Sequence, residues 1–297
     1  MNKRFLAHLS LFTANLIYGI NYTVAKDVMP DFIQPLGFIF IRVSGAGLLF
    51  WFFYRFLFYE KIDVKDIFKL AMCGLFGVAI NQMLFFEGLN LTTPINAAAI
   101  MVTNPIIVLI IGVLLSAEQI TKRKLLGVLS GALGAFSLIT YGGLVDVNTD
   151  HLWGNIMVLL NATSYGIYLV LVKPLMKKYK PITVISWVFM LGFLFVFPFG
   201  WIEFRAINWL VIPSNILWSI CFVVLGTTFM AYLLNIYSLK ILNPSTVSSY
   251  IYLQPVLASI IALIVGSDQI NFIKVAATLT IFLGVYLVSV PQKKPIS

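Results

Sequence analysis

The sequence predicts an all-α membrane protein of ten transmembrane helices, set as two inverted five-helix repeats with both termini in the cytoplasm. Three observations carry this expectation. Of 297 residues, 60% are hydrophobic and only 10% charged, whereas soluble domains carry roughly 25% charged residues. Lipid must therefore be the solvent for most of the surface. Ten stretches reach the roughly 20 apolar residues that a spanning helix needs. The second half also repeats the first in one frame.

The first stretch, Phe5–Val24, follows Lys3 and Arg4 as a signal peptide would. It is longer than an h-region of roughly 7–15 residues, and no small-residue cleavage site follows, so it reads as a span. Phe32–Phe58 and Ile67–Leu89 come next, with Arg42 and Glu87 inside them and Arg55 and Lys69 near their cytoplasmic ends. Ile95–Leu115 contains Asn104-Pro105, and Leu125–Gly143 carries Gly127, Gly131 and Gly134. The second half supplies Leu152–Val172, Ile182–Ile202, Ile216–Leu239, Thr246–Gly266 with Gln254-Pro255, and Ile273–Val290. The longest connection, Glu203 to Asn215, holds Trp209, and Trp218 follows it, as suits a membrane interface.

The basic residues orient these spans. With the N-terminus in the cytoplasm, 16 Lys and Arg fall on the cytoplasmic side and three (Lys26, Arg205, Lys274) outside, leaving Arg42 within a span. That bias follows the positive-inside rule and supports a multi-pass protein of a plasma membrane, the bacterial inner membrane. The net charge of +9 is thereby explained by topology, and no nucleic-acid partner is expected. Cys73 and Cys221 each lie in an apolar run, and only two histidines occur. Neither a disulfide framework nor a metal site is expected, and no cofactor.

A shift of 150 residues aligns Pro94 with Pro244, Pro105 with Pro255, Gln119-Ile120 with Gln269-Ile270, and Gly134 with Gly284. A shift of 147 aligns Tyr18-Gly-Ile, Lys26 and Met29 with Tyr165-Gly-Ile, Lys173 and Met176. Five spans per copy is an odd number, so the second copy must enter the membrane from the opposite side. Inverted repeats of this kind are typical of secondary transporters, with the solute site near the midplane between the halves.

Gly88-Leu-Asn-Leu-Thr-Thr-Pro-Ile-Asn-Ala-Ala-Ala, Asn104-Pro105, Glu118-Gln-Ile, Gly127 and Gly134 together resemble the EamA module of the drug/metabolite transporter superfamily. Ser238 through Pro255 to Asp268-Gln-Ile resembles its second copy, and Arg42 resembles the module's usual arginine. The resemblance covers about 5–145 and 152–291, two five-helix modules. It implies an exporter or permease of metabolites such as amino acids or related small organic compounds.

Candidate solute contacts follow from the cost of polarity in lipid. An ionisable group at the bilayer centre costs at least about 2.5–3.5 kcal/mol, so Arg42 and Glu87 must face protein or water. Arg42 lies roughly 12 Å and Glu87 roughly 4 Å below the outer helix ends, at about 1.5 Å per residue. Arg42 either holds an anionic group of the solute, since guanidinium matches carboxylate geometry, or ties helices together through Glu87 or backbone carbonyls. Asn15, Tyr18, Asn21 and Tyr22 share one face of the first helix, and Asn161, Ser164, Tyr165 and Tyr168 one face of the sixth. Asn81, Gln82, Asn104, Asn235 and Gln254 add polar groups on other spans. Each of these has helix–helix hydrogen bonding as its plain alternative. Pro105 and Pro255 are candidate hinges, being set mid-span after an amide. Gly127-Val-Leu-Ser-Gly131 offers a close-packing surface, either within the chain or in a homodimer.

The expected function is secondary transport of a small organic solute through the bilayer by alternating access, with no catalytic residue. No GxxxxGK[ST] motif is present to drive it with ATP. A membrane-embedded enzyme would need clustered ligands or a nucleophile beside a base. A receptor or scaffold without flux would favour long extramembrane segments.

Overall fold

The computed structural model describes residues 2–115, 118–141, 151–257, 260 and 272–290. The expectations resting on Asp268, Gln269-Ile270, Gly266, Gly143 and Lys293-Lys294 fall outside these. The described chain is helical. In order, it runs α1 (Lys3–Val28), α2 (Pro35–Leu57), α3 (Val64–Leu91), α4 (Pro94–Met101), α5 (Asn104–Leu114), α6 (Lys122–Tyr141), α7 (Leu152–Lys178), α8 (Pro181–Arg205), α9 (Ser214–Ile241), α10 (Pro244–Ser249) and α11 (Phe272–Ser289). Seven of the described helical segments, α4 and α5 being taken together over Asn96–Leu114, are long and apolar enough to cross a membrane; α1 and α6 are not among them. In α1 the cause is compositional, because Asn15, Asn21 and two tyrosines dilute its apolar residues.

Helix starts obey local chemistry. Asp63 and Thr93 cap α3 and α4 through their side chains, and Pro35, Pro94, Pro181 and Pro244 open α2, α4, α8 and α10. At a first helical position the missing N–H of proline costs nothing. Two features were not foreseen. The chain turns into π-helix at Leu75–Ala79 within α3 and at Val223–Met230 within α9. The expected fourth span is broken at Val102-Thr103, so Pro105 occupies the first turn of α5 and not a helix interior. Pro255 likewise follows a 3₁₀ turn, Tyr250–Tyr252. Both prolines therefore mark interruptions already made by the preceding residues, and neither bends a continuous helix.

The two sequence halves interleave. α1 packs along the last part of α9, and α7 along the last part of α3, so the first helix of each half meets the third helix of the other. Contacts recur reciprocally. Lys26 Nζ bonds the carbonyls of Leu89 and Asn90 at 2.9 Å, closing the end of α3. Lys173 Nζ bonds the carbonyls of Leu239 and Leu242, closing the end of α9. A lysine there satisfies carbonyls that the helix leaves unpaired.

The glycine face of α6 is used inside the chain. A Cβ on Gly134 would meet the Ala277 carbonyl at 2.8 Å, and one on Gly284 the Gly131 nitrogen at 2.5 Å and the Gly127 carbonyl at 2.7 Å. α6 and α11 thus approach to backbone contact, and this face is not open for a homodimer. Replacing Gly284 by valine must push the two backbones apart. It is expected to lower stability by at least about 1–3 kcal/mol, the usual penalty of overpacking, read as a fall in Tm in detergent.

Candidate solute-binding cavity

A cavity lies between α1, α2, α3, α7 and α9, with residues of α4, α10 and the turn after it completing the wall. Its lining of aromatic rings with a few convergent polar groups is the chemistry of a small-molecule site. Of the expected site residues, Tyr18, Asn21, Arg42, Asn81, Asn161, Tyr165 and Gln254 line it. α1 contributes Asn15, Tyr18, Asn21 and Tyr22, the face read from their spacing.

Glu87 and Asn104 do not line the cavity. α3 reaches it with Asn81, Gln82, Phe85 and Phe86. At about 100° per residue, Glu87 falls on the opposite side of the helix from that arc. Glu87 is half-buried there. Asn104 is fully buried and donates from Nδ2 to the Ala162 carbonyl at 2.7 Å, tying α5 to α7. Gln254, its counterpart at a shift of 150, ties the other half by donating from Nε2 to Asn15 Oδ1 at 2.9 Å. Ser164 and Tyr168 also turn away. Ser164 Oγ donates to the Phe76 carbonyl at 2.7 Å, and the Tyr168 ring fills the space left by Gly77 in the first π-segment.

Arg42 is the cation of the cavity and is 3% exposed. Its Nε donates to Thr228 Oγ1 at 3.0 Å, and its guanidinium carbon stands 4.3 Å from the centre of the Phe86 ring. Among the described residues no carboxylate pairs with it, which corrects the expected tie to Glu87. Buried charges ordinarily carry a partner, because desolvating an ion costs several kcal/mol. This one has a hydroxyl and a ring face.

The amides around it divide into satisfied and unsatisfied groups. Tyr22 donates to Gln254 Oε1 at 3.2 Å, and Asn235 Nδ2 to Tyr18 OH at 3.3 Å. Gln82 Nε2 donates to Tyr232 OH at 3.3 Å. Gln82 and Tyr232 are 150 residues apart, so equivalent positions of the two halves touch in the cavity wall. Asn21 Oδ1, Gln82 Oε1, Asn161 Oδ1 and Thr227 Oγ1 are buried without a hydrogen-bond partner. Buried polar atoms are nearly always paired, and these four belong to side chains that line a cavity open to water or a solute.

Sequence reasoning missed Phe85, Phe86, Thr227, Thr228 and Tyr232. The threonines sit in the π-segment of α9, where the wider turn alters which residues face inward, and no hydrophobic period announces that. Tyr232 was legible only by carrying the shift of 150 from Gln82.

A helical bundle with several lipid-crossing segments, enclosing a polar, charged cavity between its halves, defines a membrane transporter as its class. The model of the EamA-like transporter family matches residues 5–140 and 152–290. The chain belongs to that family. It is 26% identical to an uncharacterized transporter of Archaeoglobus fulgidus over 91% of this chain and 94% of that protein. It is 25% identical to the uncharacterized transporter YetK of Bacillus subtilis over 99% of this chain and 90% of that protein. It is 22% identical to the WAT1-related protein At3g53210 of Arabidopsis thaliana, over 91% and 79%. A solved crystal structure superposes with a TM-score of 0.74 at 16% identity, covering 96% of this chain and 97% of that one, which shows a shared fold.

Proposed function

We propose that the chain is a secondary transporter of a small carboxylate-bearing solute, zwitterions such as amino acids included, working by alternating access in a plasma membrane. The observation that carries the reading is Arg42, a buried cation on the wall of the cavity with no anionic partner among the described residues. A carboxylate arriving there supplies the missing countercharge and accepts hydrogen bonds from a planar donor fork. The unpaired amide oxygens of Asn21, Gln82 and Asn161 suit donors elsewhere on the solute.

The proposed topology has ten spans in two inverted five-helix modules, with both termini cytoplasmic. α4 with α5 forms the fourth span. Reciprocal contacts favour it, because a pseudo-two-fold axis turns each contact into its partner: Gly134 with Ala277 and Gly284 with Gly127, Asn104 with Ala162 and Gln254 with Asn15. The interruptions before Pro105 and Pro255 are the proposed flexure points, since broken helices lack the hydrogen bonds that stiffen a continuous one. At the cytoplasmic end of this topology, Glu118 holds Lys124 Nζ at 2.5 Å and accepts from the Ser245 backbone nitrogen at 2.9 Å. That contact joins the α5–α6 connection to the start of α10 and must loosen when the cavity opens inward.

The test is flux. Purified chain in proteoliposomes is expected to give saturable uptake of labelled amino acids or short mono- and dicarboxylates, and none of benzylamine or choline. Uptake confined to the cations would overturn the carboxylate assignment.

A further inference from the structure

We propose that Thr228 is the positioning residue that makes Arg42 an anion receptor, by fixing the guanidinium with a neutral hydroxyl that leaves its charge uncompensated. The inference rests on the carboxylate reading of the same cavity.

Three contacts define the arrangement. The Thr228 hydroxyl is fully buried; it accepts from Arg42 Nε at 3.0 Å and donates to the Val223 carbonyl at 2.7 Å. Because it spends its only proton on Val223, its lone pairs face Arg42, and the direction of the bond is set. The Phe86 ring covers one face of the guanidinium. With the Nε corner tied and one face covered, the two terminal nitrogens remain, and no described side chain accepts from them. Two parallel N–H donors are the edge that a carboxylate meets bidentately. A carboxylate in place of the threonine hydroxyl would hold the guanidinium as firmly but would neutralise it.

The π-segment makes this placement. Val223 lies five residues before Thr228, and within that wider turn the side chain of Thr228 reaches back to the Val223 carbonyl. π-turns inside α-helices are frequent at functional sites.

Pseudo-symmetry supplies an internal comparison. The shift of 150 that holds from the third helices on carries Thr228 to Val78, in the first π-segment, and the shift of 147 that holds for the first helices carries Arg42 to Phe189. Neither counterpart is polar, so the second copy holds no cation and no hydroxyl at these positions. The Arg42–Thr228 pair is thus an addition to the repeat, and the cavity is polarised toward α2 and α9.

The experiment measures binding to purified full-length chain by isothermal titration, with benzoate, L-phenylalanine and benzylamine as probes, alongside the Tm of each unliganded variant. Thr228→Val is expected to weaken the two carboxylate probes about tenfold or more, the size of one charge-assisted hydrogen bond. Thr228→Ser, which keeps the hydroxyl, stays within about twofold of wild type. Thr228→Asp, which keeps an acceptor but neutralises Arg42, loses carboxylate binding at least as completely and retains the wild-type Tm. It decides the matter should Thr228→Val not fold. Arg42→Ala must lose the carboxylate probes in the same series. If it does while Thr228→Val and Thr228→Asp bind them as wild type does, the positioning role is overturned and the carboxylate reading stands. If wild type binds neither carboxylate, or Arg42→Ala binds them unchanged, the carboxylate reading fails and the positioning role fails with it.

Discussion

Replacing Arg42 by alanine is expected to abolish saturable carboxylate uptake, and lysine at that position to restore only a small part of it. Hydrogen bonds to charged groups contribute about 1.5–3 kcal/mol each. Losing a bidentate pair in a buried cavity therefore costs about 3–6 kcal/mol of solute binding, on the order of a hundredfold to ten-thousandfold. Lysine keeps the charge but is a point cation without the planar fork, and it cannot make both the Thr228 contact and a bidentate contact. The effect on stability separates a solute receptor from a helix tie. Arg42 is desolvated without a countercharge, so Arg42→Met, which fills similar volume, is expected to leave Tm unchanged or raise it. A tie between helices would give the reverse, a clear fall in Tm with uptake retained.

The second large effect is expected at Glu118. Its side chain is 2% exposed and that of Lys124 5%, so the pair is buried. Ser245 adds two donors to the same carboxylate, its backbone nitrogen and its Oγ. Removing one member of a buried pair strands the other, which typically costs about 3–5 kcal/mol. Glu118→Ala is thus expected to lower thermal stability far more than Ser245→Ala, which removes a neutral hydroxyl. In the double variant Glu118→Ala/Lys124→Ala, part of the loss should return, because no charge is then left stranded. A loss in the double variant equal to the sum of the single losses would mean that the two groups are not coupled.

The residues legible in the sequence were those whose meaning is local. Asn15, Tyr18, Asn21 and Tyr22 could be placed on one face because helical spacing alone puts them there, and α1 is an unbroken helix. Arg42 was legible because charge within an apolar run is costly wherever the helix sits. Gly127 and Gly131 were legible as a packing surface because their spacing puts them on one helix face. What escaped depends on the third dimension. Asn104 and Gln254 are equivalent in sequence, yet Asn104 reaches a backbone carbonyl of α7, whereas Gln254 stays on the cavity wall. Glu87 was drawn toward Arg42 by charge complementarity, although the arc of Asn81, Gln82, Phe85 and Phe86 places it on the far side of α3. Thr228 looked like any threonine in a membrane helix, where the i−4 carbonyl is the ordinary partner. Its role depends on a π-turn and on a residue 186 positions away. The prolines were legible as interruptions, but not as the first residues after a break.

The central claim is that the Arg42 cavity is a path and not merely a pocket. Cysteine at position 21, in a background with Cys73 and Cys221 replaced by alanine, tests it directly with a membrane-impermeant maleimide applied to sealed vesicles of either orientation. Labelling from both faces, slowed from both by a saturating transported carboxylate, is the result this account predicts. Labelling from one face only, whether or not solute is present, would describe a binding protein that never exposes its cavity to the other side.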